Sequence, residues 1–279
     1  MVVKRESVQG SGFAPVRGGQ LYFEVAGTGV PVVFVHGGLG DCRMWDSQWE
    51  PFARRFRVLR YDQRGFGRSS PPQRPFSPHL DLKAVCSYLG IPKAHVVGHS
   101  MGGGVSLDFA LECPRRVAGL VLAGPSLHGH VYSDPFFQKG MELLAVAKMQ
   151  GPRDAVRRLF ADPFWQFTIP PPERRALRKR MEEMALGFFR AFYWDSRLIQ
   201  PAEPPAALRL ASLAAPTLVV EGEGDHPENL EVAERIKREM PRCLEVIIPG
   251  CGHMMPLENP RTFNTVVIDF LESLEGGPG

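Results

Sequence analysis

The run Val30-Pro31-Val32-Val33-Phe34-Val35, which ends abruptly at His36-Gly37-Gly38, limits the fold more than any other segment. A strand with one wet face alternates apolar and polar residues. A strand apolar throughout is buried on both faces, which calls for a parallel sheet covered by helices on each side. Comparable runs occur at Phe56 to Tyr61, Ala94 to Gly98, Val117 to Ala123, Thr217 to Val220 and Leu244 to Ile248, and Gln20 to Val25 reads as an alternating strand. Between them lie stretches with helical spacing. Asp81 to Leu89 carries Leu82, Val85 and Leu89 on one face, with Gly90 and Pro92 beyond it. Met101 to Cys113 stops at Pro114, and Asn229 to Met240 follows later. Pro260 to Leu274 opens with Pro260 in its first turn and Asn259 placed to cap it. Strand and helix in alternation predict an α/β fold, a mostly parallel doubly wound sheet with helices on both faces.

The pattern breaks between Gly124 and Ser212. That stretch has helical spacing, several prolines (Pro170-Pro171-Pro172, Pro204-Pro205) and many aromatic residues. It is expected to form a helical cap or lid, residues 125–212, inserted between two strands of a core made of residues 1–124 and 213–279. An insertion there lies over the strand ends where open parallel sheets bind ligands. Leu39, Phe136, Phe164, Trp165 and Trp194 are therefore candidates for the wall of a substrate cavity.

Composition narrows the function classes. In 279 residues, 33 Lys and Arg against 30 Asp and Glu leave a formal charge of +3. No basic stripe is interleaved with aromatics, so a nucleic-acid partner is not expected. No run approaches a membrane span and Met1 to Gly12 has no apolar signal region; a cytoplasmic protein without a membrane partner is the expectation. The 5 cysteines are odd in number and irregularly spaced, with no C-x-x-C, which disfavours a disulfide framework or a zinc site. Neither a metal nor a cofactor is expected, and nothing in the pattern specifies an oligomeric state.

A serine hydroxyl attacks only with a base to take its proton, a group to orient that base, and donors for the oxyanion that develops. Ser100 lies in Gly98-His99-Ser100-Met101-Gly102, between a predicted strand and a predicted helix, the context of a sharp nucleophile turn. Of the 8 histidines, His253 follows the last strand in Pro249-Gly250-Cys251-Gly252-His253, at the same sheet edge as Ser100. His99 neighbours the serine, but adjacent side chains in such a turn point apart. His36 is expected to make a structural hydrogen bond, and His128 and His130 are loop residues with no partner implied. Asp225 directly follows the strand Thr217 to Val220, with Glu221 and Glu223 as weaker rivals, and the order serine, acid, histidine suits the turn. The oxyanion donors are expected to be the backbone N–H of Met101 and that of Gly38 in His36-Gly37-Gly38-Leu39-Gly40, with Leu39 open as an alternative. The turn from Asp62 to Ser69 reads as structural, with Arg64 bonding local carbonyls.

These pieces together resemble the α/β-hydrolase superfamily, in its cofactor-free serine esterase, lactonase and perhydrolase-like branch. The resemblance rests on His36 to Gly40, Asp62 to Ser69, Gly98 to Gly103, Gly222 to Asp225, and Gly252-His253 with Pro256, Glu258 and Asn259-Pro260, in family order. It implies hydrolysis of small apolar carboxylic esters or lactones through an acyl-enzyme on Ser100. Epoxide hydrolases and haloalkane dehalogenases of this fold use aspartate where this chain has Ser100. Enol-lactonases and hydrolases of carbon–carbon bonds in ring-fission products share the Ser-Met-Gly-Gly pattern and stay open. A ligand receptor on the same frame is the alternative from another class.

Overall fold

Strand burial alternates residue by residue between two cores. The computed structural model describes residues 10–191 and 196–276. Its strands are β1 (Gly10–Val16), β2 (Gly19–Ala26), β3 (Pro31–Val35), β4 (Arg57–Tyr61), β5 (Ala94–His99), β6 (Val117–Ala123), β7 (Thr217–Gly222) and β8 (Cys243–Ile248). They form one sheet in the order β1-β2-β4-β3-β5-β6-β7-β8. β2 runs antiparallel to both β1 and β4, and the remaining pairs are parallel. The helices are α1 (Asp46–Ala53), α2 (Pro78–Tyr88), α3 (Met101–Glu112), α4 (Asp134–Gln150), α5 (Pro152–Ala161), α6 (Arg175–Ala191), α7 (Pro227–Glu239), α8 (Met255–Glu258) and α9 (Pro260–Glu275).

Val33, Val35, Val96, Leu120, Leu122 and Val219 point into one core with Leu82 of α2, Leu107 of α3 and Ile236 of α7. Their neighbours Val32, Phe34, Val97, Val121, Leu218 and Val220 point into the other, with Phe52 of α1 and Phe263, Val267 and Leu271 of α9. Both faces of the central strands are thus dry, as continuous apolar runs require. Phe34 is fully buried, with ring centroids 4.9 Å from Trp45 and 5.1 Å from Phe52. Burial of such a ring contributes about 1.5–3 kcal/mol.

Three features depart from the sequence expectation. β1 adds an antiparallel edge strand whose mixed, largely exposed residues carry little apolar signal. β8 is an edge, not a buried strand, and leaves Leu244 61% and Ile247 54% exposed. α2 starts at Pro78, ahead of its first periodic apolar residue, because proline fits a first helical turn.

Helices α4, α5 and α6 all fall between β6 and β7. Their Leu143, Leu159, Met181 and Met184, with Trp165 of the turn between α5 and α6, join the same core as α1 and α9. The segment therefore packs onto the sheet's own core. No helix among the described residues is long and apolar enough to cross a membrane.

Candidate active site

Ser100 joins β5 to α3 with φ 52° and ψ −120°, and among the described residues it is the non-glycine residue with positive φ. Such a conformation costs about 1–3 kcal/mol and persists only where its surroundings enforce it. Here the Ser100 N–H donates to the Ala123 carbonyl at 2.9 Å, and the Ser126 N–H donates to the Ser100 carbonyl at 3.0 Å. The flanking glycines are demanded by close approach. A Cβ at Gly102 would run into the carbonyl oxygens of Val35 and His36, and one at Gly98 into Ser106 Oγ and the Gly102 carbonyl.

Asp225 and His253 come from the ends of β7 and β8, the edge to which β5 delivers Ser100. His253 Nδ1 lies 2.9 Å from Asp225 Oδ2. Asp225 Oδ1 accepts from the His226 N–H at 2.5 Å and from Asn229 Nδ2 at 2.8 Å. Asn229 Nδ2 is also 3.0 Å from His253 Nδ1, so amide and ring stand side by side, each donating to one carboxylate oxygen. Burial pushes the Asp225 carboxyl up, but the charge of His253 and the donated hydrogen bonds outweigh it and hold it below the usual range. For His253 burial pulls the other way from the charge and hydrogen bond of Asp225, and the net effect is upward. A ring that donates from Nδ1 leaves the Nε2 lone pair free to accept a proton.

Two residues discounted or passed over in the sequence complete this group. His99 Nε2 donates to the His253 carbonyl at 2.9 Å. Burial, then the His253 charge, lowers its pKa to about 3, so His99 is a neutral ring. The His99 ring reaches the backbone of His253 and lines the same cavity as Ser100. Asn229 stands four residues after Asp225 on the buried face of α7; a polar amide there, one turn past an acid, was the available signal. Glu221 is buried beside Asp225, and burial, reinforced by that neighbouring charge, keeps its carboxyl protonated well above the usual range.

On the donor side, Met101 opens α3, where the first-turn N–H groups have no intrahelical acceptor. Among the described residues, no protein acceptor takes the amides of Met101, Gly38 or Leu39, whereas the Gly40 N–H is spent on the Gly37 carbonyl at 3.2 Å. His36 makes the structural bond anticipated. Its Nδ1 donates to the Gly37 carbonyl at 2.8 Å, and its Nε2 accepts the Gln63 N–H at 3.0 Å. Arg64 donates to one carbonyl, that of Gly18 at 3.4 Å, but its main partner is another. It pairs with Asp81 of α2 through two hydrogen bonds of 2.8 and 2.7 Å, because a buried guanidinium needs a counter-charge more than a carbonyl.

Ser100 and His253 line a cavity of about 390 Å³ together with Gly38, Leu39 and Met101. Phe136 and Trp165 also line it, with Tyr132, Leu143 and Phe188, which the sequence did not single out. Phe164 does not line it. Its half-buried ring packs against His226 at 5.1 Å and Trp165 at 5.0 Å between centroids. Trp194 lies outside the described residues. A second cavity of about 460 Å³ shares Met101, Ser126, Tyr132 and Phe188 with the first. Asp41, Cys42 and Asp62 also converge, but Asp41 serves Arg43 and Asp62 serves the amides of Cys42 and Arg68.

The profile of the alpha/beta hydrolase family matches residues 32–266. The chain belongs to that family. Like its relatives it is a hydrolase of small molecules. Over 260 residues it is 27% identical to a 2-hydroxy-6-oxononadienedioate/2-hydroxy-6-oxononatrienedioate hydrolase of Comamonas testosteroni, covering 90% of this chain and 91% of that protein. It is similar to the structure of a thermophilic esterase from Thermogutta terrifontis, with a TM-score of 0.77, 27% identity, and coverage of 92% and 94% of the two chains. It is also similar to an esterase from a Rhodococcus species, with a TM-score of 0.78, 25% identity, and coverage of 96% and 100%.

Proposed function

We propose that this alpha/beta hydrolase cleaves carboxylic esters or lactones of small apolar substrates through an acyl-enzyme on Ser100. The observation that carries this reading is the 2.9 Å contact of His253 Nδ1 with Asp225 Oδ2, in a cavity lined by both His253 and the strained Ser100. His253 Nε2 takes the Ser100 proton as Oγ bonds to the substrate carbonyl carbon. The amides of Met101 and of Gly38 or Leu39 hold the oxyanion. As the tetrahedral intermediate collapses, the bond to the leaving oxygen breaks and His253 returns the proton to it. Water then attacks the acyl carbon and gives its proton to His253, which passes it to the departing Ser100 oxygen. Asp225 fixes the ring tautomer and steadies the imidazolium. Residues 125–212 act as a cap that keeps the cleft apolar, with Leu39, Phe136 and Trp165 facing the substrate.

The likeness to the Comamonas testosteroni hydrolase favours a second reading, hydrolysis of a carbon–carbon bond in a ring-fission product. Steady-state kcat/KM across p-nitrophenyl esters, lactones and such dienoates ranks the two, and a receptor would complete at most one slow cycle. Ser100→Ala is expected to lower ester turnover by about 10⁴-fold or more. Near-native ester hydrolysis by that variant removes Ser100 from the reaction.

A further inference from the structure

The second cavity carries polar groups that the mechanism leaves unused. Met101, Gly104, Val105 and Asp108 all line it, at positions one, four, five and eight of α3. That spacing is a single helix face. The face therefore runs from the Met101 amide beside the nucleophile to the carboxylate of Asp108, about 10 Å away along the axis at 1.5 Å per residue. Most of the wall between is apolar, including Phe66, Phe76, Leu127 and Phe188.

Asp108 is only 6% exposed, and among the described residues its Oδ1 is closed off without a hydrogen-bond partner. Its other oxygen faces His128 Nδ1 at 3.9 Å, too far for a hydrogen bond, and among the described residues that ring nitrogen has no partner. The amide of Ala202 also serves this carboxylate. Burial raises its pKa to about 6, so near neutral pH it is mostly an anion with one unsatisfied acceptor. The other charges on this wall answer each other, since Arg64 is bound to Asp81. A carboxylate served by one amide on an apolar wall is costly, and a ligand that brings it a second donor recovers part of that cost on binding. A neutral hydroxyl suits better than an ammonium group, because it loses less hydration on entry and its own oxygen can accept from the His128 ring.

We propose that this chamber receives a substrate half bearing a hydroxyl group, with the Asp108 carboxylate as its acceptor and the α3 face as its track. The inference rests on the ester reading above. It names the preferred substrates as medium-length esters whose hydroxyl lies about 10 Å from the scissile carbonyl.

Two matched pairs test it: phenyl ω-hydroxyoctanoate against phenyl nonanoate, and ω-hydroxyhexyl benzoate against heptyl benzoate. In at least one pair the hydroxylated ester should be favoured by about 10- to 100-fold in kcat/KM, the range for a hydrogen bond to a charged group. Asp108→Leu should invert that ratio. Asp108→Asn, which keeps the shape, should shrink it, and it serves if the leucine variant does not fold. Equal kcat/KM within both pairs, or a ratio untouched by the substitutions, overturns the assignment. A readout independent of turnover is calorimetric binding of ω-hydroxyoctanoate and nonanoate to Ser100→Ala. Tighter binding of the hydroxy acid supports the chamber even if no ester is cleaved, in which case the ester reading alone falls. Equal affinity in that variant counts against the chamber whatever the turnover.

Discussion

Replacing Asp225 by asparagine is a test whose outcome the geometry fixes in direction and size. Two donors, the His226 N–H at 2.5 Å and Asn229 Nδ2 at 2.8 Å, converge on Oδ1. An asparagine at 225 must place its single oxygen there, since turning its amide nitrogen toward two donors would leave all three without an acceptor. The amide nitrogen then takes the place of Oδ2, 2.9 Å from His253 Nδ1 in the native protein. Facing a donor, Nδ1 becomes the acceptor and the ring proton moves to Nε2, the atom that must receive the Ser100 proton. The wrong tautomer, with no carboxylate to steady the imidazolium, should lower kcat by about 10⁴-fold on a p-nitrophenyl ester. The pH profile supplies a second reading. In the native protein Asp225 raises the His253 pKa above 6.5 against the effect of burial, so the acidic limb of kcat/KM should lie above that value. Without the charge, burial is left to dominate and the limb should move below 6.5. A loss of less than about tenfold, or a limb that stays in place, refutes this account of Asp225.

Two further substitutions probe the frame around the site. His99→Leu removes the N–H that satisfies the buried His253 carbonyl, at a cost of about 1–3 kcal/mol; kcat should fall about tenfold while KM changes little, and a KM effect alone would assign His99 to substrate binding. Arg64→Met leaves Asp81 buried without its counter-charge, so urea denaturation should report a loss of about 3–5 kcal/mol, and the double variant Arg64→Met/Asp81→Leu should recover much of it. An additive double variant would mean that the pair does not act as a unit.

Much of this arrangement is legible in the sequence because it depends on local pattern. Val30 to Val35 is apolar at every position since both its faces are covered, and His36-Gly37-Gly38 follows because the chain must turn at the sheet edge. Ser100, Asp225 and His253 are readable for the same reason, each coming just after a strand end. What escaped depends on contacts made across the fold. Asn229 looks like any polar residue early in an amphipathic helix until Asp225 is placed against it. His128 implies no partner in the sequence, yet the loop after β6 sets it beside Asp108, twenty residues earlier. Phe164 and Trp165 cannot be ranked by composition, since their rings touch, 5.0 Å between centroids, and only packing decides which meets the cavity. β1 is silent because an exposed antiparallel edge has no apolar face to announce it.

The shared wall of the two cavities bears on how substrate choice is divided in the proposed reaction. Met101 contributes its amide at the nucleophile and its side-chain position to both chambers, and Tyr132 and Phe188 enter both from the segment between β6 and β7. Of the proposed catalytic groups, Ser100 and Asp225 follow strands covered by dry cores on both faces, whereas His253 follows the edge strand β8. Changes in that segment can therefore resize either chamber without disturbing Asp225, Asn229 or His253, which hang from β7, α7 and the loop after β8. One backbone contact crosses this division, the His253 N–H donating to the Phe167 carbonyl at 2.8 Å. Movement of the segment near Phe167 would pull on the histidine directly, so specificity and turnover should be separable at Tyr132 and Phe188 but coupled at Phe167.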